Sequence, residues 1–159
     1  MPDWIAALND TVLSAFRTRL VGGFDEPFYL AFRADGPAEI RFTRDYTGSA
    51  LHELAHWCVA GEARRRQDDY GYWYAPDGRT NAQQQQFFQV EVTPQAVEKH
   101  FCVALGIPFA ASMDNLGNRA LDGIEAFRTA VDERYTQYAI HGLPQRAMQI
   151  YRCLQAHRT

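Results

Sequence analysis

The stretch TGSALHELAHWCVAG, residues 47–61, decides how this chain reads. At its centre His52-Glu53-Leu54-Ala55-His56 returns to histidine after four residues. On an α-helix, positions four apart share a face at about 6 Å, so both rings can aim a nitrogen at one ion. Glu53 lies about 100° round the helix. It is poorly placed as a third ligand but well placed to reach a water or substrate held on a metal. From Gly48 to Gly61 the only side chains charged at ordinary pH are His52, Glu53 and His56. Leu51, Leu54, Ala55, Cys58 and Val59 cover most of the wheel, so the helix is expected to be buried. Burying three polar side chains without partners is costly, and a metal with its water removes that cost. The ordinary alternative is a pair of core or surface histidines with hydrogen-bonded neighbours.

A catalytic site of this kind usually takes a third protein ligand. The acidic candidates are Glu62, Asp68, Asp69, Asp77, Glu91, Glu98 and Asp114. Glu62 follows His56 too closely, beyond the helix-ending Gly61. Asp68 and Asp69 fall in RRRQDD (64–69), which reads as solvated. Glu91 shares a helical face with Phe87 and Phe88, and a carboxylate on an apolar face needs a partner. Glu91 is therefore the preferred third ligand; a buried ion pair, for instance with Arg79, is the other reading.

Outward from this helix the chain reads as a single α+β domain over residues 1–159, rich in helix with a small β element. Ile5, Leu8, Val12, Phe16 and Leu20 predict a first helix that Gly22-Gly23 ends. PFYLAF (27–32) and EIRF (39–42) predict short strands around the turn ADGP (34–37). GYWYAPDGRT (71–80) has strand composition followed by a Pro-Asp-Gly turn. Asn81 to about Glu91 predicts a helix closed by Thr93-Pro94, with Thr93 capping a second helix to Leu105. A long helix then ends before Gly142, and Pro144 opens a last one to about residue 156. His100 reads as a core or surface histidine. Tyr72, Trp73 and Tyr74 could wall a substrate channel, although aromatic strands are more often core, and Asp77 and Arg79 could contact substrate, although PDG is first a turn.

Composition narrows the function. The net charge of −3 offers no basic field for nucleic acid. No apolar run approaches the roughly 20 residues of a membrane helix, and the acidic start MPDWIAALND is unlike a signal peptide. Cys58, Cys102 and Cys153 are far apart and odd in number, which predicts reduced thiols in a cytoplasmic protein. On these grounds alone a small zinc metallopeptidase ranks first, because Glu53 stands where a peptidase needs its general base.

HELAHWCVAGEARR, GYWYAPDGR, FFQVEVTPQAVE and FCVALGIPFAASMDNL, in this order and spacing, resemble the elongation factor P hydroxylases. The resemblance covers about residues 24 to 145 and, resting on several separated motifs, is far more specific than H-E-x-x-H. This chain is expected to stop short of the family's usual C-terminus, soon after its last helix.

The resemblance implies a bacterial cytoplasmic enzyme that hydroxylates the β-lysylated lysine of translation elongation factor P, with dioxygen as co-substrate. It implies a non-haem iron centre, Fe(II) with zinc or another divalent metal as possible occupants. Carried over by position, the ligands are His52, His56 and Glu91, with Glu53 beside the metal as base or supporting group. Two histidines and one carboxylate leave open positions on Fe(II) for dioxygen and substrate. The jelly-roll oxygenase pattern, H-x-D/E with a distant histidine, is absent, so 2-oxoglutarate is not assumed.

Overall fold

The computed structural model describes residues 2–71, 81–109 and 123–158, with the side chains of residues 71 and 81–85 left aside. Its helices are α1 (Asp3–Asp10), α2 (Thr47–Val59), α3 (Glu62–Arg65), α4 (Asn81–Leu105), α5 (Ile124–His141) and α6 (Gln145–Gln155). Its strands are β1 (Thr18–Phe24), β2 (Phe28–Leu30) and β3 (Ala38–Thr43). The expected mix of many helices and a little sheet is what the structure holds. None of the described helices is long and apolar enough to cross a membrane.

The sheet runs β1-β3-β2, with β1 parallel and β2 antiparallel to the central β3. Along β3, Ala38, Ile40 and Phe42 are buried and alternate with half-buried Glu39, Arg41 and Thr43, as a strand covered on one face requires. α2 packs against β3 and also meets α4 and α6, so the helix that carries both histidines lies in the main core.

The first helix is shorter than expected, and β1 was not foreseen. α1 stops at Asp10, a 3-10 turn spans Leu13–Phe16, and Arg17 takes a left-handed φ of 52° before β1 begins. Phe16 and Leu20 are four apart, a spacing that fits a helical face and one face of a strand equally. Gly22-Gly23 ends no helix; it makes the irregularity in β1 between Val21 and Phe24. A Cβ on Gly22 would stand 2.5 Å from the Phe42 ring, and Gly23 has a φ of +98°.

Both edges of the sheet are closed by side chains. On β1, the Asn9 amide donates to the Leu20 carbonyl at 3.1 Å and accepts from the Leu20 N–H at 2.8 Å. At β2, Asp69 accepts from the Tyr29 N–H at 2.8 Å, and just past the strand Asp68 accepts from the Ala31 N–H at 2.9 Å. The RRRQDD run is thus more than a solvated stretch. Its carboxylates cap an edge strand, and Arg65 donates back to the Trp57 and Ala60 carbonyls.

The expected break at Thr93-Pro94 does not occur: α4 is one helix of 25 residues with Pro94 inside it. A proline in a helix interior costs about 3 kcal/mol. Here the residues just beyond it, Gln95, Ala96 and Val97, are wholly buried, and their packing outweighs that cost. Thr93 caps nothing; its hydroxyl accepts from the Arg134 guanidinium of α5 at 2.7 Å. α5 ends as expected at Gly142, whose N–H bonds the Tyr138 carbonyl with a φ of +95°.

Candidate metal centre

α2 and α4 together build the site. His52 and His56 stand one turn apart on α2, with ring centroids 4.7 Å apart. Their Nε2 atoms are 3.2 Å apart. Across the interface Glu91 places Oε1 3.1 Å from His56 Nε2 and Oε2 4.0 Å from His52 Nε2. One donor atom from each residue can be chosen so that all three lie within 4.8 Å of one another, a group that could hold a metal ion. Donors bound at right angles about 2.1 Å from one ion stand about 3 Å apart, so the two shorter separations suit a shared cation. Glu91 is 4% exposed and both histidines are half-buried. The three residues singled out in the sequence are therefore brought together, and Glu91 has no arginine among its described partners.

The electrostatics follow from this crowding. On His52, burial opposes the charged form. The Glu98 hydrogen bond and the charges of Glu98, Glu91 and Glu53 outweigh it and push the pKa up to about 10. Burial pushes Glu91 the other way, yet the charge and hydrogen bond of His56, then His52 and Gln95, hold it below the usual carboxylate range. The pocket thus keeps the Glu91 carboxylate ionised, and a cation would compete with the proton that His52 holds.

Glu53 is half-buried beside the pair. Burial raises its pKa, with the charges of His56 and His52 pulling back. Among the described residues its carboxylate has no hydrogen-bond or ion-pair partner.

Glu98 was passed over in the sequence. Its Oε1 lies 2.7 Å from His52 Nδ1, on the side of the ring away from Glu91. It follows Glu91 by seven residues, two helical turns, so both carboxylates share a face of α4. That spacing was the signal available. Tyr72, Trp73, Tyr74, Asp77 and Arg79 lie outside the described residues. Burial pushes the Cys58 and Cys102 thiols up to about 12, and neither sulfur is part of the group of donors that converges. Of the two readings of His100, core or surface, the structure shows the core one, stacked on Tyr135 and hydrogen-bonded to its carbonyl at 3.0 Å.

A sequence model described as elongation factor P hydroxylase matches residues 7–159. The chain belongs to the elongation factor P hydroxylase family. A relative from Haemophilus influenzae, named elongation factor P lysine hydroxylase, is 45% identical over 157 residues, covering 98% of this chain and 88% of its own length. The elongation factor P hydroxylase match reaches beyond both ends of the stretch that carries the sequence motifs. Among the described residues this family member has one sheet of three strands, and both histidines lie on a helix. The described part of this chain is thus unlike a jelly-roll oxygenase, whose metal is held between strands.

Proposed function

We propose that residues 1–159 form one hydroxylase domain that adds oxygen to the β-lysylated lysine of elongation factor P at a metal held by His52, His56 and Glu91. The observation that carries this reading is the convergence of the three donors inside a chain of this family. The donor set suits Fe(II), and zinc or another divalent ion could occupy it. Bound iron would supply the redox chemistry with dioxygen that no side chain can perform.

The protein's own residues prepare that chemistry. Leu51, Leu54 and Ala55 of α2 and Val97 of α4 are wholly buried in one core, which fixes the two helices that carry the donors. His52 and His56 would hold an ion through Nε2, and Glu91 would supply negative charge. That leaves Glu53, with its raised pKa and no partner among the described residues, to hold or pass a proton beside the two histidines. Tyr72, Trp73, Asp77 and Arg79 are proposed to line the approach of the substrate lysine. A cytoplasmic protein substrate, no direct nucleic-acid contact and no need for 2-oxoglutarate complete the reading.

The same donors with Glu53 as general base also describe a zinc peptidase. Family membership, rather than the donors, favours oxygen insertion. The test incubates iron-loaded protein with β-lysylated elongation factor P under reducing, aerobic conditions and records intact mass. Gain of one oxygen atom is expected. No gain, where the Haemophilus influenzae relative succeeds in parallel, refutes the proposal; cleavage of a peptide library by the zinc form, lost in Glu53→Gln, would establish the peptidase.

A further inference from the structure

Glu98 is buried, at 6% exposed, on the same face of α4 as Glu91. The neighbouring cation turns away: Lys99 Nζ pairs with Asp132 at 2.8 Å, on α5. Among the described residues the one hydrogen-bond partner of the Glu98 carboxylate is His52, at 2.7 Å through Nδ1. This short contact is charge-assisted in length.

The two ring nitrogens of His52 thus face two different carboxylates. Nε2 faces Glu91 and His56, and Nδ1 faces Glu98. A hydrogen on Nδ1, donated to Glu98, leaves the Nε2 lone pair free for a cation. The opposite tautomer would lose the Glu98 bond and turn an N–H toward the other donors. An ionised acceptor also makes the imidazole a stronger donor through Nε2. No comparable partner for Nδ1 of His56 occurs among the described residues, so the two histidines are not equivalent.

A buried carboxylate kept for stability alone would be a poor solution, since an apolar pair of the same volume packs as well. We propose that Glu98 is a positioning residue that fixes the tautomer and ring orientation of His52 and strengthens it as a donor to a divalent cation. This rests on the reading of His52, His56 and Glu91 as a metal centre.

The test titrates the full chain, stripped of metal, with Co(II) and Zn(II) and compares wild type with Glu98→Gln and Glu98→Ala. Affinity is read by calorimetry, the Co(II) site by its visible absorption, and folding by circular dichroism and thermal unfolding. Glu98→Ala should bind about 10- to 100-fold more weakly with a shifted Co(II) spectrum. Glu98→Gln, which keeps an acceptor without the charge, should fall between. Should the alanine variant fail to fold, the near-isosteric glutamine variant still decides. Wild-type affinity and spectrum in the folded glutamine variant would overturn the proposal, and a change in unfolding temperature alone would assign Glu98 a structural part only. If His52→Ala abolishes binding while Glu98→Gln matches wild type, the metal centre stands and the positioning role falls. If wild type binds neither ion, both fall.

Discussion

Oε1 of Glu91 lies 3.1 Å from Nε2 of His56, although 35 residues of chain separate them. The contact joins α4 to α2 at the point where the first histidine also arrives. A cation between these atoms would neutralise the carboxylate and use both imidazole lone pairs. His52→Ala, His56→Ala and Glu91→Ala should each weaken divalent-metal binding by more than about 100-fold, beyond the loss typical of a supporting partner. Elemental analysis after dialysis, with calorimetry, checks this. Saturating metal at about 100 times its Kd should stabilise the wild-type fold by about 2.7 kcal/mol and leave the three variants unmoved.

Glu53→Gln should retain metal and fold, because the carboxylate contacts no described residue through a hydrogen bond. Hydroxylation should fall by about 100-fold if the group moves a proton. Equal turnover by the variant would reduce Glu53 to a space-filling role. Metal content and rate must be measured on one preparation.

Pro94→Ala restores a backbone donor in the middle of α4. The gain should be about 1–3 kcal/mol in chemical denaturation, from one restored hydrogen bond up to the full cost of an interior proline. A loss of metal affinity alongside higher stability would show that the proline sets the spacing between Glu91 and Glu98.

Gly22→Ala should destabilise the protein by about 1–3 kcal/mol, since the added methyl meets the Phe42 ring at 2.5 Å and the Arg44 carbonyl at 2.7 Å. Urea unfolding gives the value. Metal affinity of the remaining folded protein should not change, because β1 supplies none of the three donors.

His100 supplies a pH dependence away from the metal donors. Burial chiefly lowers its pKa below the ordinary value of 6.5, with the Tyr135 carbonyl opposing and Lys99 adding to the shift. Above 6.5 both folded and unfolded chains hold it neutral, and its contribution is fully present. As pH falls, the unfolded chain takes up the proton first, so stability is lost toward the lower folded pKa. His52, whose pKa is raised, gives metal-free protein an opposite slope over the same range, so the reading is the difference between wild type and His100→Phe, which lacks the Tyr135 bond. Between about pH 7.5 and about pH 5.5 that difference in denaturation free energy should shrink as pH falls.

The site was more legible than the scaffold around it. His52 and His56 are one turn apart, so local geometry alone aligns them. Glu91 could be chosen because a carboxylate beside Phe87 and Phe88 needs a partner. Glu98 was not chosen, since its two-turn spacing from Glu91 matters only if α4 runs unbroken through Pro94. Local rules favour a stop there, and only the burial of Gln95, Ala96 and Val97 overrides them. The same limit hid β1, where Leu20 suits either period, and misread Asp68 and Asp69, whose backbone partners just past β2 and on it lie 37 and 40 residues away.

The sequence by itself determined the α2 face that carries His52, Glu53 and His56, the apolar surface that buries that helix, and the family to which the chain belongs, because these depend on neighbours in the chain or on several motifs read together. The tertiary structure decided which carboxylate meets which ring nitrogen. Two glutamates on one helix face are alike in sequence, and only the docking of α4 against α2 turns Glu91 to the shared Nε2 side and Glu98 to Nδ1 of His52.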